Sequence, residues 1–239
     1  MNETPILMLC LGGQKTSLLA KSLHECGMSL GNGHTWWKQS DYAGHCEYSE
    51  ITKMLGAYND IPLDPEKVDE VVTRLRQILR AYREQAAEKH WKYYGIKTTS
   101  GICHNKWDRV KQTFFEEWPD ALYFGLLRRP IFKGDQNQNE GWGNVYRARL
   151  ELAETKQAVY LPYPEVFLTQ EIQRFILGIG LPWKHEVMNI FASKRYREGG
   201  RDFQDEIMRG QYEHLLELSR RNFKNLFGET LELRSVTCS

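Results

Sequence analysis

Residues 5–27 read PILMLCLGGQKTSLLAKSLHECG. Ile6 to Leu11 is a continuous apolar run of strand length bounded by a turn, the pattern of a strand buried on both faces. Gly12 and Gly13 turn the chain. From Thr16 to Cys26 the apolar residues Leu18, Leu19, Leu23 and Cys26 recur at helical spacing, and Gly27 stands where a helix terminator belongs. Strand, glycine turn and helix make the opening half of a βαβ unit.

The rest of the chain continues that alternation. Met28 to Cys46 has no period and is rich in Gly, His, Trp and Tyr, the composition of a surface loop or lid. Glu47 to Tyr58 has weak helical character, and two prolines break the chain between Asp60 and Pro65. From Glu66 to Glu88 the residues Val68, Val71, Val72, Leu75, Ile78, Leu79 and Tyr82 repeat every three or four positions, which predicts a long amphipathic helix. Tyr93 to Ile96 is a short strand candidate ending at Lys97 and Thr98. A helix is expected from Asn105 to Trp118, followed by a turn at Pro119 and Asp120. Ala121 to Leu127 is a second interior strand, stopped by Arg128, Arg129 and Pro130.

Asp135 to Gly143 reads as a polar loop around Trp142. Then come a helix from Val145 to Lys156 and a short strand from Ala158 to Leu161. A helix opened by Pro164 runs through Phe175 and Leu177 to a stop between Gly178 and Pro182. Trp183 to Phe227 is mostly helical, with a break at Gly199 and Gly200. The expected fold is α/β: a three-layer, P-loop-type fold with a central parallel sheet and a helical C-terminal layer. A single domain is expected over residues 1–239, with the α/β core in 1–183 and a helical extension in 184–239.

Composition excludes several classes of function. The 239 residues are 41% hydrophobic and 26% charged, with 7 Trp, 12 Tyr and 10 Phe and a formal net charge of +1. A chain this long buries about three quarters of the surface it exposes unfolded, so it needs no disulfide or metal to hold a core. Abundant aromatics at near-neutral charge argue against disorder, and the lack of a basic excess argues against a nucleic-acid partner. No stretch reaches the roughly 18 apolar residues of a spanning helix, and the run to Leu11 is too short and wrongly flanked for a signal peptide. The expected setting is cytoplasmic. Cys10, Cys26, Cys46, Cys103 and Cys238 are odd in number and scattered without a Cys-x-x-Cys pair, which fits reduced, buried thiols better than a disulfide frame or zinc site.

Chemistry concentrates first in the turn from Gly12 to Ser17. Backbone amides in a glycine turn that opens a helix form an anion site, because unpaired N–H groups and the helix dipole converge there. Lys15, Thr16 and Ser17 add a cation and two hydroxyls. As a Walker A loop the segment is poor: Leu9 and Gln14 occupy the two glycine positions of that motif.

Four segments in order carry a wider likeness: LCLGGQKTSLLAKSLHECG at 9–27, YGIKTTS at 94–100, WPDALYFGLLRRP at 118–130 and YPEVFLTQEIQRFILGIGLPW at 163–183. Together they resemble the sulfotransferase superfamily, whose members move a sulfuryl group from 3'-phosphoadenosine-5'-phosphosulfate (PAPS) to an acceptor. The first is similar to that family's 5'-phosphosulfate loop, the third to its 3'-phosphate strand ending in Arg-x-Pro, the fourth to its acidic Tyr-Glu-Asp-Leu stretch and the following helix.

The resemblance implies roles at matched positions. Thr16 and Ser17 match the hydroxyl pair on the 5'-phosphate, Arg128 the arginine on the 3'-phosphate, and Lys97 the lysine after the second strand. Gly12, Gly13 and Gln14 complete the loop, with Gly13 where the family has a basic residue and Lys15 as the cation at the bridging oxygen. Two further positions depart from the pattern: Thr99 stands where many cytosolic members have a catalytic His, and Gln136 where a serine is expected. Arg197, Gly199, Gly200 and Arg201 imitate part of the family's C-terminal basic motif, and Lys194 and Arg195 extend that basic run, which on composition alone is a solvated helix face.

A general base has to come from elsewhere. His45 and Glu47 follow the aromatic loop and lead the candidates, with His34 and His104 behind them. Trp36, Trp37 and Tyr42, with His34, offer a stacking face for an acceptor or, equally, pin the loop to the core. The implied activity is direct in-line transfer to a hydroxyl or amine of a small molecule or saccharide, with adenosine 3',5'-bisphosphate as product and no metal. Two other readings stay open: a P-loop kinase using a nucleoside triphosphate, and a nucleotide-binding protein that kept the fold and lost the reaction.

Overall fold

Ile6, Leu7 and Met8 are wholly buried in β1 (Thr4–Leu9), the strand predicted from the first apolar run. The computed structural model describes residues 3–9, 16–30, 50–51, 54, 65–98, 108–129, 136–192 and 206–233. Among these, β1 pairs with β2 (Tyr93–Thr98) on one side and β3 (Leu122–Arg128) on the other, and β4 (Val159–Tyr163) pairs with β3. All pairings are parallel and the order is β2-β1-β3-β4. Leu7 stands level with Ile96 on β2 and Tyr123 on β3; Gly125 stands level with Tyr160 on β4, and Arg128 with Tyr163. The expected α/β fold with a central parallel sheet is what the chain forms.

The helices are α1 (Thr16–Glu25), α2 (Pro65–Glu88), α3 (Asp108–Glu117), α4 (Gln136–Thr155), α5 (Glu165–Leu168), α6 (Glu171–Gly178), α7 (Glu186–Phe191) and α8 (Glu206–Phe227). Alternation along the strands sorts them into layers. Tyr94 and Tyr123 face α2 and α3, where Tyr94 packs edge-on against Tyr82 and Trp118, and Tyr123 against Phe115. Tyr160 faces the same way, beneath Arg149 of α4. On the opposite face Tyr93 donates its hydroxyl to the carbonyl of Ile179 just after α6, and Phe124 packs edge-on against Phe175 of α6. That second face also carries α1, which packs against α7. Helices on both faces of one sheet make the three expected layers.

The end of α1 shows why the chain turns where it does. Gly27 takes φ +106°, a conformation costly for any residue with a Cβ. Its N–H bonds the carbonyl of His24, and the N–H of Met28 bonds that of Leu23, so the last carbonyls of the helix are satisfied by the turn itself. Two residues on, Ser29 forms a parallel bridge to Tyr94 outside β2, with Met28 and Leu30 buried beside it. The expected loop or lid from Met28 therefore begins as a buried sheet-edge segment; its remainder lies outside the described residues.

The other edge is closed by α8. Tyr160 donates its N–H to Ser219 Oγ at 2.9 Å, and Asn222 Nδ2 bonds the carbonyls of Ala153 and Ala158 at 2.7 and 3.0 Å. Pro162 sits in this strand because β4 lies at the margin, where one missing N–H breaks no ladder. The helical C-terminal layer is thus what covers the exposed strand edge.

Two expectations fail. The loop predicted at Asp135 to Gly143 is helical from Gln136: before Val145 the sequence QNQNEGWGN offers Trp142 and no second large apolar residue, so no apolar period reveals the helix. The helix predicted from Pro164 through Leu177 is two helices, because Gln170 takes φ +61° and the Thr169 hydroxyl bonds back to the carbonyl of Glu165 at 2.9 Å.

Gly125 leaves a sharp expectation. A Cβ there would lie 2.8 Å from the ring of Tyr160, which is held under the Arg149 guanidinium. Gly125→Ala is expected to lower stability by about 1–3 kcal/mol, the usual cost of overpacking, read from the urea midpoint at unchanged slope.

Candidate functional site

In a parallel sheet the carboxyl ends of the strands share one edge, and ligands bind where neighbouring strands send their connections to opposite sides. Here that point lies between β1 and β3, since the chain leaves β1 towards β2 and later returns to β3 on the other side. The start of α1 stands at this edge beside the C-terminal ends of β2 and β3.

Thr16 is the first residue of α1. It is 2% exposed, and its Oγ1 is buried with no hydrogen-bond partner among the described residues. A buried hydroxyl without a partner costs about 1–3 kcal/mol, and at a helix N-terminus it sits where backbone N–H groups favour an anion. Ser17, next to it, is half-buried.

Two cations stand at the neighbouring strand ends. Lys97 is 2% exposed and Arg128 is 5% exposed. Lys97 falls on the same face as Tyr93, and Arg128 on the same face as Phe124; both therefore point to the layer that contains α1. Lys97 lies one residue beyond the level of Leu7 and Arg128 five. At about 3.3 Å per residue, Arg128 starts about 13 Å nearer the mouth of the site and two strands across. Such an offset suits a ligand with two separated anionic groups better than one compact anion.

The neighbouring Arg129 does something else. Although Arg129, like Arg128, stops the strand in the sequence, its guanidinium bonds Glu165 Oε1 at 3.0 Å, both side chains 7% exposed. Its charge is spent on the start of α5. The carbonyl of Arg128 accepts a 2.9 Å hydrogen bond from the Tyr146 hydroxyl of α4. Burial pushes the Tyr146 phenol far above the ordinary tyrosine range, with Arg149 opposing, so the hydroxyl stays a donor. Tyr212 of α8 packs edge-on against Tyr146, its own phenol also raised by burial. Tyr146 reads in the sequence as one more apolar position of α4; Glu165 belongs to the acidic stretch of the fourth segment, but its partner lies 36 residues away.

Of the residues predicted for the site, the structure brings Thr16, Ser17, Lys97 and Arg128 to one edge. Gly12, Gly13, Gln14, Lys15, His34, Trp36, Trp37, Tyr42, His45 and Glu47 lie outside the described residues, as do Thr99, His104, Lys194, Arg195, Arg197, Gly199, Gly200 and Arg201. Cys26 is buried and its thiol is free; burial raises its pKa. Among the described residues, no group of three or more His, Cys, Asp or Glu is placed to hold a metal ion, and no helix is long and apolar enough to cross a membrane.

No protein-family model and no curated protein matches the chain. A solved structure, the sulfotransferase domain from the Synechococcus PCC 7002 olefin synthase, is similar with a TM-score of 0.47 and 15% identity, over 96% of each chain.

Proposed function

We propose that the protein is a single-domain sulfotransferase that moves a sulfuryl group from PAPS to a hydroxyl or amine of a small molecule or saccharide. The observation that carries this reading is the shared edge of the Thr16 hydroxyl, without a partner among the described residues, with buried Lys97 and Arg128, on one face beside the switch point. The four matched segments add the identity of the donor.

Thr16 and Ser17, with the amides of Gly12, Gly13 and Gln14, would hold the 5'-phosphate; Arg128 would take the 3'-phosphate. In the transfer, the acceptor oxygen or nitrogen attacks sulfur in line as the bond from sulfur to the bridging phosphate oxygen breaks. Lys15 and Lys97 offset the charge gathering on that oxygen, and the acceptor's proton goes to His45 or Glu47. Adenosine 3',5'-bisphosphate leaves with the electron pair of the broken bond. Trp36, Trp37 and Tyr42, with His34, would face the acceptor. No metal is required, because fixed cations do the work that magnesium does for a triphosphate.

A kinase would need a carboxylate for its metal at a buried strand end. β3 delivers Arg128 there instead, and Glu165, after β4, is engaged by Arg129. The test is thermal unfolding with adenosine 3',5'-bisphosphate. At one hundred times the dissociation constant, a ligand that binds only the folded state adds about 2.7 kcal/mol, or roughly 5–10 °C in a chain of this size. No shift at millimolar bisphosphate, or a shift with magnesium-ATP alone, overturns the assignment.

A further inference from the structure

Arg128 and Arg129 are identical residues in adjacent positions, yet one lines the candidate site and the other is locked into a buried ion pair. Strand alternation separates them only if the backbone at the end of β3 keeps its register, and here β3 is at its last residue, where strands fray. Beyond the pairing of Arg128 with Tyr163 of β4, two side-chain contacts among the described residues hold it. Tyr146 of α4 donates to the Arg128 carbonyl at 2.9 Å, and Glu165 at the start of α5 takes the Arg129 guanidinium at 3.0 Å. Both come from outside the pocket. α4 covers the face where Tyr160 lies under Arg149, opposite the face to which Arg128 points, so Tyr146 reaches the backbone of Arg128 from behind.

We propose that Tyr146 and the Arg129–Glu165 pair are positioning residues that aim Arg128 at the 3'-phosphate and so set the protein's preference for a 3'-phosphorylated nucleotide. The proposal rests on the nucleotide reading given above and adds the parts of the chain that hold its discriminating cation in place. The brace is two-point: one contact fixes the carbonyl of residue 128, and the other anchors the side chain of residue 129 on the opposite face. Twisting the strand end to turn Arg128 away would have to break both.

The test compares two probes, adenosine 3',5'-bisphosphate and adenosine 5'-monophosphate, by calorimetric titration. The ratio of their affinities reads the grip on the 3'-phosphate, and a general loss of stability does not move it. Tyr146→Phe removes one hydroxyl and keeps the ring. It is expected to weaken bisphosphate binding about 5- to 10-fold, the worth of one buried hydrogen bond, and to leave monophosphate binding within about twofold. Tyr94→Phe, the same change at a buried phenol between α2 and α3, is expected to leave the ratio unchanged. If Tyr146→Phe is too unstable to titrate, Glu165→Gln reads the other half of the brace by the same ratio.

A ratio unmoved by the brace variants, in a wild-type protein that prefers the bisphosphate, overturns the positioning role alone. A wild-type protein that binds neither nucleotide, or both equally, overturns the nucleotide reading and this proposal with it.

Discussion

Arg128→Ala is expected to weaken binding of adenosine 3',5'-bisphosphate about 100-fold, a loss of about 2.7 kcal/mol. The size follows from the site. A guanidinium 5% exposed at the end of a buried strand has little competing water, and a charge-assisted bond there is worth about 1.5–3 kcal/mol, more when two N–H groups reach one phosphate. Arg128→Lys keeps the charge and loses the fork, so it is expected to recover only part of that affinity. Calorimetric titration of both variants, with far-ultraviolet circular dichroism to confirm the fold, checks the prediction. Binding by Arg128→Ala within threefold of wild type would remove Arg128 from the site.

The adjacent arginine shows what a sequence can and cannot give. β1 and β3 were legible because strands buried on both faces are written as unbroken apolar runs, and the end of α1 because only glycine readily takes the conformation found at Gly27. Thr16, Lys97 and Arg128 were legible as site candidates because each follows or closes such an element. The opposite fates of Arg128 and Arg129 were not. They depend on which face of β3 the even-numbered residues take, and Arg128, the last residue of the strand, shares the face of Phe124. One residue of shift reverses which arginine faces α1.

Other parts were hidden for different reasons. α4 opens on QNQNEGWGN, where Trp142 stands alone, so helical periodicity had too little to register until Val145. The break at Gln170 is set by a backbone conformation that its side chain does not announce. Ser219 and Asn222 look like ordinary polar residues of an amphipathic helix; their work, closing the margin of β4, appears only once the sheet order is known. Arg149 is the least expected: 1% exposed, its terminal nitrogens lack hydrogen-bond partners among the described residues, and its guanidinium lies 5.1 Å from the Tyr160 ring centre. A cation over a desolvated ring gains about 2 kcal/mol, which offsets part of the cost of its burial.

The largest loss of stability is expected at the other end of the brace. Glu165→Ala leaves the Arg129 guanidinium, 7% exposed, without the carboxylate that now lies 3.0 Å away. Breaking one side of a buried pair usually costs about 3–5 kcal/mol, because the remaining charge stays desolvated. In a chain of this length that corresponds to roughly 6–20 °C in the midpoint of thermal unfolding. The double variant Arg129→Met/Glu165→Leu removes both charges and fills similar space, so it is expected to recover most of the loss and to unfold within about 2 kcal/mol of wild type. Urea unfolding of the wild type, the two single variants and the double variant closes the cycle. Additive losses in the double variant would show that the pair is not coupled. With coupling, the double variant becomes informative for function as well: stability returns while the anchor at residue 129 is gone, so a bisphosphate preference that stays reduced in a restored fold would locate the effect in the aim of Arg128 rather than in the stability of the domain.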